Sequence, residues 1–190
     1  MLIVDAHLDL AYNALRGRDV TRPAAEQVAN DKDGTPSVGF TDLKAGGVGL
    51  VCATIFCEPA RGNETGYRTS YEARREAQKQ LKWYYRQVAD GLMDVVTSPA
   101  QLPGVGVDPR PGNVNAILLM EGADAFRSAE DVGEWFDAGL RVVGLAWKRT
   151  RMAGGTGDPG PLTDEGRALV AALDKYKIIH DASHLAEDSF

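Results

Sequence analysis

Residues 113–124 read NVNAILLMEGAD. Val114 to Met120 form an almost unbroken apolar run. A run this continuous suits a strand buried on both faces, as in a parallel sheet. It ends on Glu121 and Gly122. A carboxylate at the end of a buried strand must be paired or bind a cation, unless the strand end is exposed and the group only caps a helix or joins a loop. Asp124 reads as a turn residue.

Working outward, four more runs have the same character: 2–6 (LIVDA), 48–56 (VGLVCATIF), 140–146 (LRVVGLA) and 177–183 (KIIHDAS). Helical patterns lie between them. Thr69 to Glu72 has the form of a capping box opening a helix over about 70–90, with Ala77, Leu81, Tyr84 or Tyr85, and Val88 as its apolar stripe. Ser128 to Asp131 has the same form, with Val132, Trp135 and Phe136 on one face and Gly139 as the stop. Thr163 opens a third helix with Leu169, Val170 and Leu173 inward. Gly46 and Gly47 end a short helix over about 41–45. Strand and helix alternate, which predicts βαβ units and an α/β fold in a single domain over residues 1–190. No internal repeat or low-complexity tract interrupts it. The stretches 11–40 and 148–162 (KRTRMAGGTGDPGPL) read as loops. Both follow strands, which places them at the C-terminal rim of a parallel sheet, where (β/α) barrels carry their active sites.

Composition narrows the function classes. With 44% hydrophobic and 25% charged residues, the chain is ordinary globular material. A net charge of -6 with both signs mixed argues against nucleic acid or an anionic membrane surface as partner. Met1 leads straight into the first strand with no signal-peptide pattern, and no apolar stretch can span a bilayer, so a cytoplasmic location is expected. Cys52 and Cys57 fall on opposite faces of one strand and are expected as unbonded thiols.

Ionisable residues mark strand ends. In LIVDAHLDL (2–10), alternation along a strand puts His7 and Asp9 on one face, where an imidazole nitrogen and a carboxylate oxygen can grip one cation; a His–Asp hydrogen bond is the simpler alternative. Asp5 lies deeper on that face and would orient a ligand from behind. In YKIIHDASHL (176–185), His184 sits just past a strand and is a ligand candidate. His180 lies deeper, as a core histidine or a support for a ligand. In a barrel the strand ends converge, and a mixed cluster with a shared carboxylate is what a two-metal hydrolase requires.

These motifs together resemble the renal (membrane) dipeptidase family, peptidase family M19. DAHLDL resembles its Asp-x-His-x-Asp-Leu opening, and LKAGGVGLVCATIF its Gly-Gly-Val-Gly lead into the second strand. LLMEGAD resembles its Glu-Gly motif, and GPLTDEGRALVAALDKYKIIHDASHL its Leu-Thr-x-x-Gly to Asp-x-Ser-His stretch. Other amidohydrolase-like barrels usually open with His-x-His. The resemblance implies a (β/α)8 barrel, of which this chain holds about the first five βα units, and two zinc ions. His7 and Asp9 would bind one zinc and His184 the other, with Glu121 as the shared, catalytic carboxylate. The reaction implied is hydrolysis of dipeptides by a metal-bridging hydroxide. The family's remaining ligands, a further His, a late Asp and a substrate-binding Arg, fall beyond Phe190, so an N-terminal portion that can pair with a second copy is expected. Trp147 stands where the family has a His that steadies the oxyanion. Lys148 or Arg149 could replace it, although a solvated loop is the simpler reading of both. Trp147 also motivates another amide or lactone as substrate. A metal- or partner-binding remnant without catalysis is the non-enzyme alternative.

Overall fold

A computed structural model of the chain describes residues 3–28, 34–60, 66–104 and 113–190. Leu2 of the first predicted strand and residues 29–33 of the predicted 11–40 loop lie outside them. Six strands are described: β1 (Ile3–Leu8), β2 (Val48–Phe56), β3 (Met93–Val95), β4 (Val114–Glu121), β5 (Leu140–Gly144) and β6 (Ile179–Asp181). The helices are α1 (Leu10–Leu15), α2 (Phe40–Ala45), α3 (Ser70–Ala89), α4 (Val132–Asp137) and α5 (Asp164–Lys175).

The sheet runs β1-β2-β4-β5-β6, with β3 also pairing β4. The β1–β2, β3–β4, β4–β5 and β5–β6 ladders are all parallel. Parallel strands joined by helices make this an α/β fold of the (β/α)8-barrel type with an incomplete set of strands. Each predicted strand is present. β3 had escaped sequence reading because three residues, with Asp94 in the middle, make no apolar run. The 11–40 stretch is not wholly a loop: Leu10 and Ala11 are buried on α1, and a turn of 3-10 helix covers Ala24–Glu26. Among the described residues no helix is long and apolar enough to cross a membrane.

The chain divides into two compact units, residues 1–54 with 80–117 and residues 55–79 with 118–190. In the first, Tyr84 is fully buried and settles the Tyr84-or-Tyr85 ambiguity, since Tyr85 is exposed. The Tyr84 hydroxyl donates to the Thr54 carbonyl at 2.7 Å and accepts the Ala11 N–H at 3.3 Å. Burial pushes its phenol well above the usual range. Both bonds satisfy backbone groups that would otherwise be stranded in the core.

The second unit contains a buried ion network. Arg74 on α3 reaches Asp131 at 3.0 Å and Glu134 on α4. Arg127 holds both oxygens of the same Asp131, at 2.9 and 2.6 Å. The Arg127 hydrogen bonds hold the Asp131 carboxyl below the usual range against the opposing effect of burial, with the Arg127 N–H and the Arg74 charge adding to them. The Arg74 guanidinium lies 5.2 Å over the Trp135 ring. Thr163 caps α5 by accepting the Gly166 N–H at 3.0 Å, and Leu169 and Leu173 are fully buried, as their spacing predicts. Cys57 is buried and Cys52 half-buried, and neither is in a disulfide. Burial, followed by the Glu76 and Asp124 charges, pushes the Cys57 thiol up to about 12.

Candidate metal centre

In the first unit, β1 ends at Leu8, so Asp9 falls at the N-cap of α1 rather than within the strand. Its side chain makes no capping bond. The ladder explains where it points. Leu8 pairs with Ala53, which brings Asp9 beside Thr54. The Thr54 hydroxyl donates to Asp9 Oδ1 at 2.5 Å, and His7 Nε2 lies 3.6 Å from the same oxygen. Burial by itself would raise the Asp9 carboxyl. The His7 and Thr54 hydrogen bonds and the His7 charge outweigh that and hold it below the usual range. Asp5 does not reach the His7 ring: it accepts the His7 backbone N–H at 3.0 Å. A register shift between Asp5 and Leu8 breaks the simple alternation on which the shared-face expectation rested.

In the second unit, Glu121 is the last residue of β4 and is buried. It pairs across the sheet with Gly144 on β5, which in turn pairs with Asp181 on β6. The chain leaves β6 through an Asx turn in which Asp181 Oδ1 accepts the Ser183 N–H at 2.8 Å. His184 follows with φ 63, a left-handed backbone that a residue with a Cβ seldom adopts. Its Nε2 stands 3.4 Å from Glu121 Oε1, and its Nδ1 lies 3.0 Å from the Thr156 hydroxyl. β6 is only three residues long and His184 lies beyond it, so strand alternation does not relate His180 to His184. His180 is exposed and bonds Asp174 on α5 at 2.8 Å, so it is not a core histidine.

Trp147 stands edge-on to His184 with ring centroids 6.5 Å apart, and edge-on to Phe56 at 5.2 Å. The Lys148 ammonium lies 5.2 Å from the centre of the Trp147 ring. Arg149 is bound to Asp158 at 2.8 Å and to the Pro159 carbonyl. The 148–162 stretch is therefore no purely solvated loop: Met152, Ala153, Gly154 and Gly155 are buried within it. Asp124 is also more than a turn residue, accepting from the Tyr67 hydroxyl at 2.8 Å and the Arg151 N–H at 2.9 Å.

Sequence reading missed Thr54 and Thr156. The signal for Thr54 was available as the lone hydroxyl in an apolar strand; Thr156 gave none, being one polar residue in a glycine-rich loop.

Fold and side chains define a class: a (β/α)-barrel-type chain whose strands end in imidazole–carboxylate pairs. The family model for membrane dipeptidase, peptidase family M19, matches residues 1–190, and the chain belongs to that family. Among solved structures, it is similar to dipeptidase AC, a metallopeptidase of family M19, at 25% identity and a TM-score of 0.75. That match covers 99% of this chain and 59% of the other. It is equally similar (25% identity, TM-score 0.75) to a metallopeptidase from Rhodobacter sphaeroides liganded with a phosphinate mimic of the dipeptide L-Ala-D-Ala, over 99% of this chain and 60% of that one. The probable dipeptidase PvdM from Pseudomonas aeruginosa shares the fold, at 17% identity and a TM-score of 0.75, over 100% of this chain and 48% of its own. The chain thus spans about three fifths of the length of the first two. No curated protein matches it.

Proposed function

We propose that these 190 residues are the N-terminal portion of a zinc-dependent dipeptidase, with His7, Asp9, Glu121 and His184 as metal ligands and Glu121 shared between two zinc ions. The observation that carries this reading is the family match along the whole chain. The donor chemistry supports it: His7, Asp9 and Glu121 offer an imidazole nitrogen and carboxylate oxygens of the kind that could hold an ion. Asp9 is already held by the Thr54 hydroxyl, and Glu121 is a buried carboxylate at the end of its strand. Divalent cations bound by these groups would supply Lewis acidity toward a peptide carbonyl. The protein's own part is to hold the ligands still: Thr54 fixes Asp9, and the turn after β6 delivers His184. The remaining ligands are taken to come from sequence that these residues do not carry. The substrate mimic bound to the Rhodobacter sphaeroides relative supports a dipeptide substrate. Within the proposal the enzyme is cytoplasmic and can self-associate, a state that sedimentation of the native protein would read.

The longest native form should hydrolyse L,L- or L,D-dipeptides, lose activity with a chelator and regain it with zinc. Absence of dipeptide turnover with zinc bound sinks the reading. A second reading, another amide or a lactone as substrate, is favoured by Trp147, an uncharged N–H donor that cannot shuttle protons. Acyl-amino acids and lactones in the same assay separate the two. A non-catalytic remnant would show no turnover of any of them, whether or not it bound metal.

A further inference from the structure

We propose that Thr156 is a positioning residue for His184, fixing which ring nitrogen faces Glu121; the proposal rests on the metal-ligand reading of His184 given above. The Thr156 hydroxyl lies 3.0 Å from His184 Nδ1, while Nε2 lies 3.4 Å from Glu121 Oε1 on the far side of the ring. A neutral imidazole carries one proton. The Thr156 hydroxyl accepts that proton when it sits on Nδ1, leaving the Nε2 lone pair for a cation held with Glu121. It donates to Nδ1 when the proton sits on Nε2, so it holds the ring in place in either tautomer. In the second tautomer the Nε2 position is blocked by a hydrogen. Metal-binding histidines generally have the second ring nitrogen held by such an acceptor.

The 148–162 loop exists in this form to deliver that hydroxyl. The Thr156 N–H donates to the Trp147 carbonyl at 2.9 Å, which returns the chain to the end of β5. A Cβ on Gly155 would lie 2.7 Å from the Lys148 carbonyl oxygen and 2.8 Å from that of Trp147, so only glycine permits the backbones to approach this closely. The same loop grips the segment that carries His184. Gly155 bridges Leu185, and the Ala186 N–H donates to the Gly154 carbonyl at 3.1 Å. The Ser189 hydroxyl accepts the Gly154 N–H at 3.1 Å and donates to the Gly160 carbonyl at 2.6 Å. These bonds hold the residues that follow the left-handed His184, so the ring is fixed from the backbone and from Nδ1 at once. Trp147 closes the edge of the ring. The sequence departure at Trp147 thereby acquires a role, in backbone and ring, that involves no proton transfer.

The test uses T156V, which removes the hydroxyl and keeps the shape, T156S, which restores it, and G155A, which displaces Thr156 without altering it. Nitrogen NMR of the metal-free protein, with the ring neutral and His7 and His180 assigned by substitution, reads whether His184 Nδ1 is hydrogen-bonded. Wild type and T156S should show a hydrogen-bonded Nδ1, and T156V and G155A one that has lost that bond. Cobalt titration followed by absorption should show T156V and G155A weaker by about 10- to 100-fold, and T156S within roughly twofold of wild type. Circular dichroism confirms that each variant is folded. The same Nδ1 signal in wild type and T156V overturns the proposal, as does equal cobalt affinity. If wild type binds no cobalt yet T156V loses the Nδ1 hydrogen bond, the metal reading of the site is refuted and the Thr156 assignment stands.

Discussion

His7 and Asp9 sit two residues apart at one strand end, each side chain 37% exposed. Glu121 and His184 come from the ends of different strands, and here Glu121 is 7% exposed while His184 is 37% exposed. The first pair needs little more than strand geometry and one hydroxyl, from Thr54. The second needs two strand pairings, an Asx turn, a left-handed residue and a folded-back loop. The units that house them differ in the same sense. The first is pinned by a buried phenol bonding to backbone, the second by a buried network of charges. Local geometry can therefore bring His7 to Asp9 cheaply, whereas the buried Glu121 and its distant His184 require the fold around them.

The sharpest way to break this contrast is Asp131→Ala. It leaves Arg74 buried without one of its carboxylates and should cost about 3–5 kcal/mol in urea unfolding. The pH dependence carries a definite sign. The Asp131 carboxyl is depressed in the folded state, so its contribution is fully present above the unfolded carboxylate value and is lost as pH falls through the folded one. The stability difference between wild type and Asp131→Ala should therefore shrink toward acid pH; a constant difference would contradict the network.

Next comes Glu121→Gln, which keeps the shape and removes the charge. Metal affinity by calorimetry should fall by more than about 100-fold, beyond the range seen for groups that only support a ligand. Tyr84→Phe tests the first unit. It strands the Thr54 carbonyl and the Ala11 N–H and should cost about 1–3 kcal/mol in the same urea experiment, less than Asp131→Ala. The smallest effect is expected from Thr54→Val. Metal affinity should drop by about tenfold with stability little changed, because His7 still faces Asp9. An effect as large as that of Glu121→Gln would mean the first pair is not self-sufficient.

How far the site was legible follows from the same contrast. NVNAILLMEGAD announced both a buried strand and a carboxylate at its end, and β4 and Glu121 are found so. The caps at Thr163 and Ser128 were visible because capping is a local exchange of hydrogen bonds. The alternation rule pointed correctly to His7 and Asp9 as neighbours, yet the register shift and the early end of β1 mean that alternation is not what aims Asp9. His180 and His184 lie outside its reach. A three-residue strand gives parity no reach, and the backbone turns before His184. Nothing periodic marks Thr156, whose role depends on residues of the β6 exit turn.

Sequence by itself determined the α/β alternation, the parallel sheet and the chemical identity of the candidate ligands, because apolar periodicity and residue type are local properties. Tertiary structure decided which oxygen holds Asp9, which nitrogen of His184 faces Glu121, and that a glycine-rich loop serves as a clamp. Those outcomes depend on strand register and on close backbone approach. Both are set by which segments pack together, a matter that no single stretch of chain encodes.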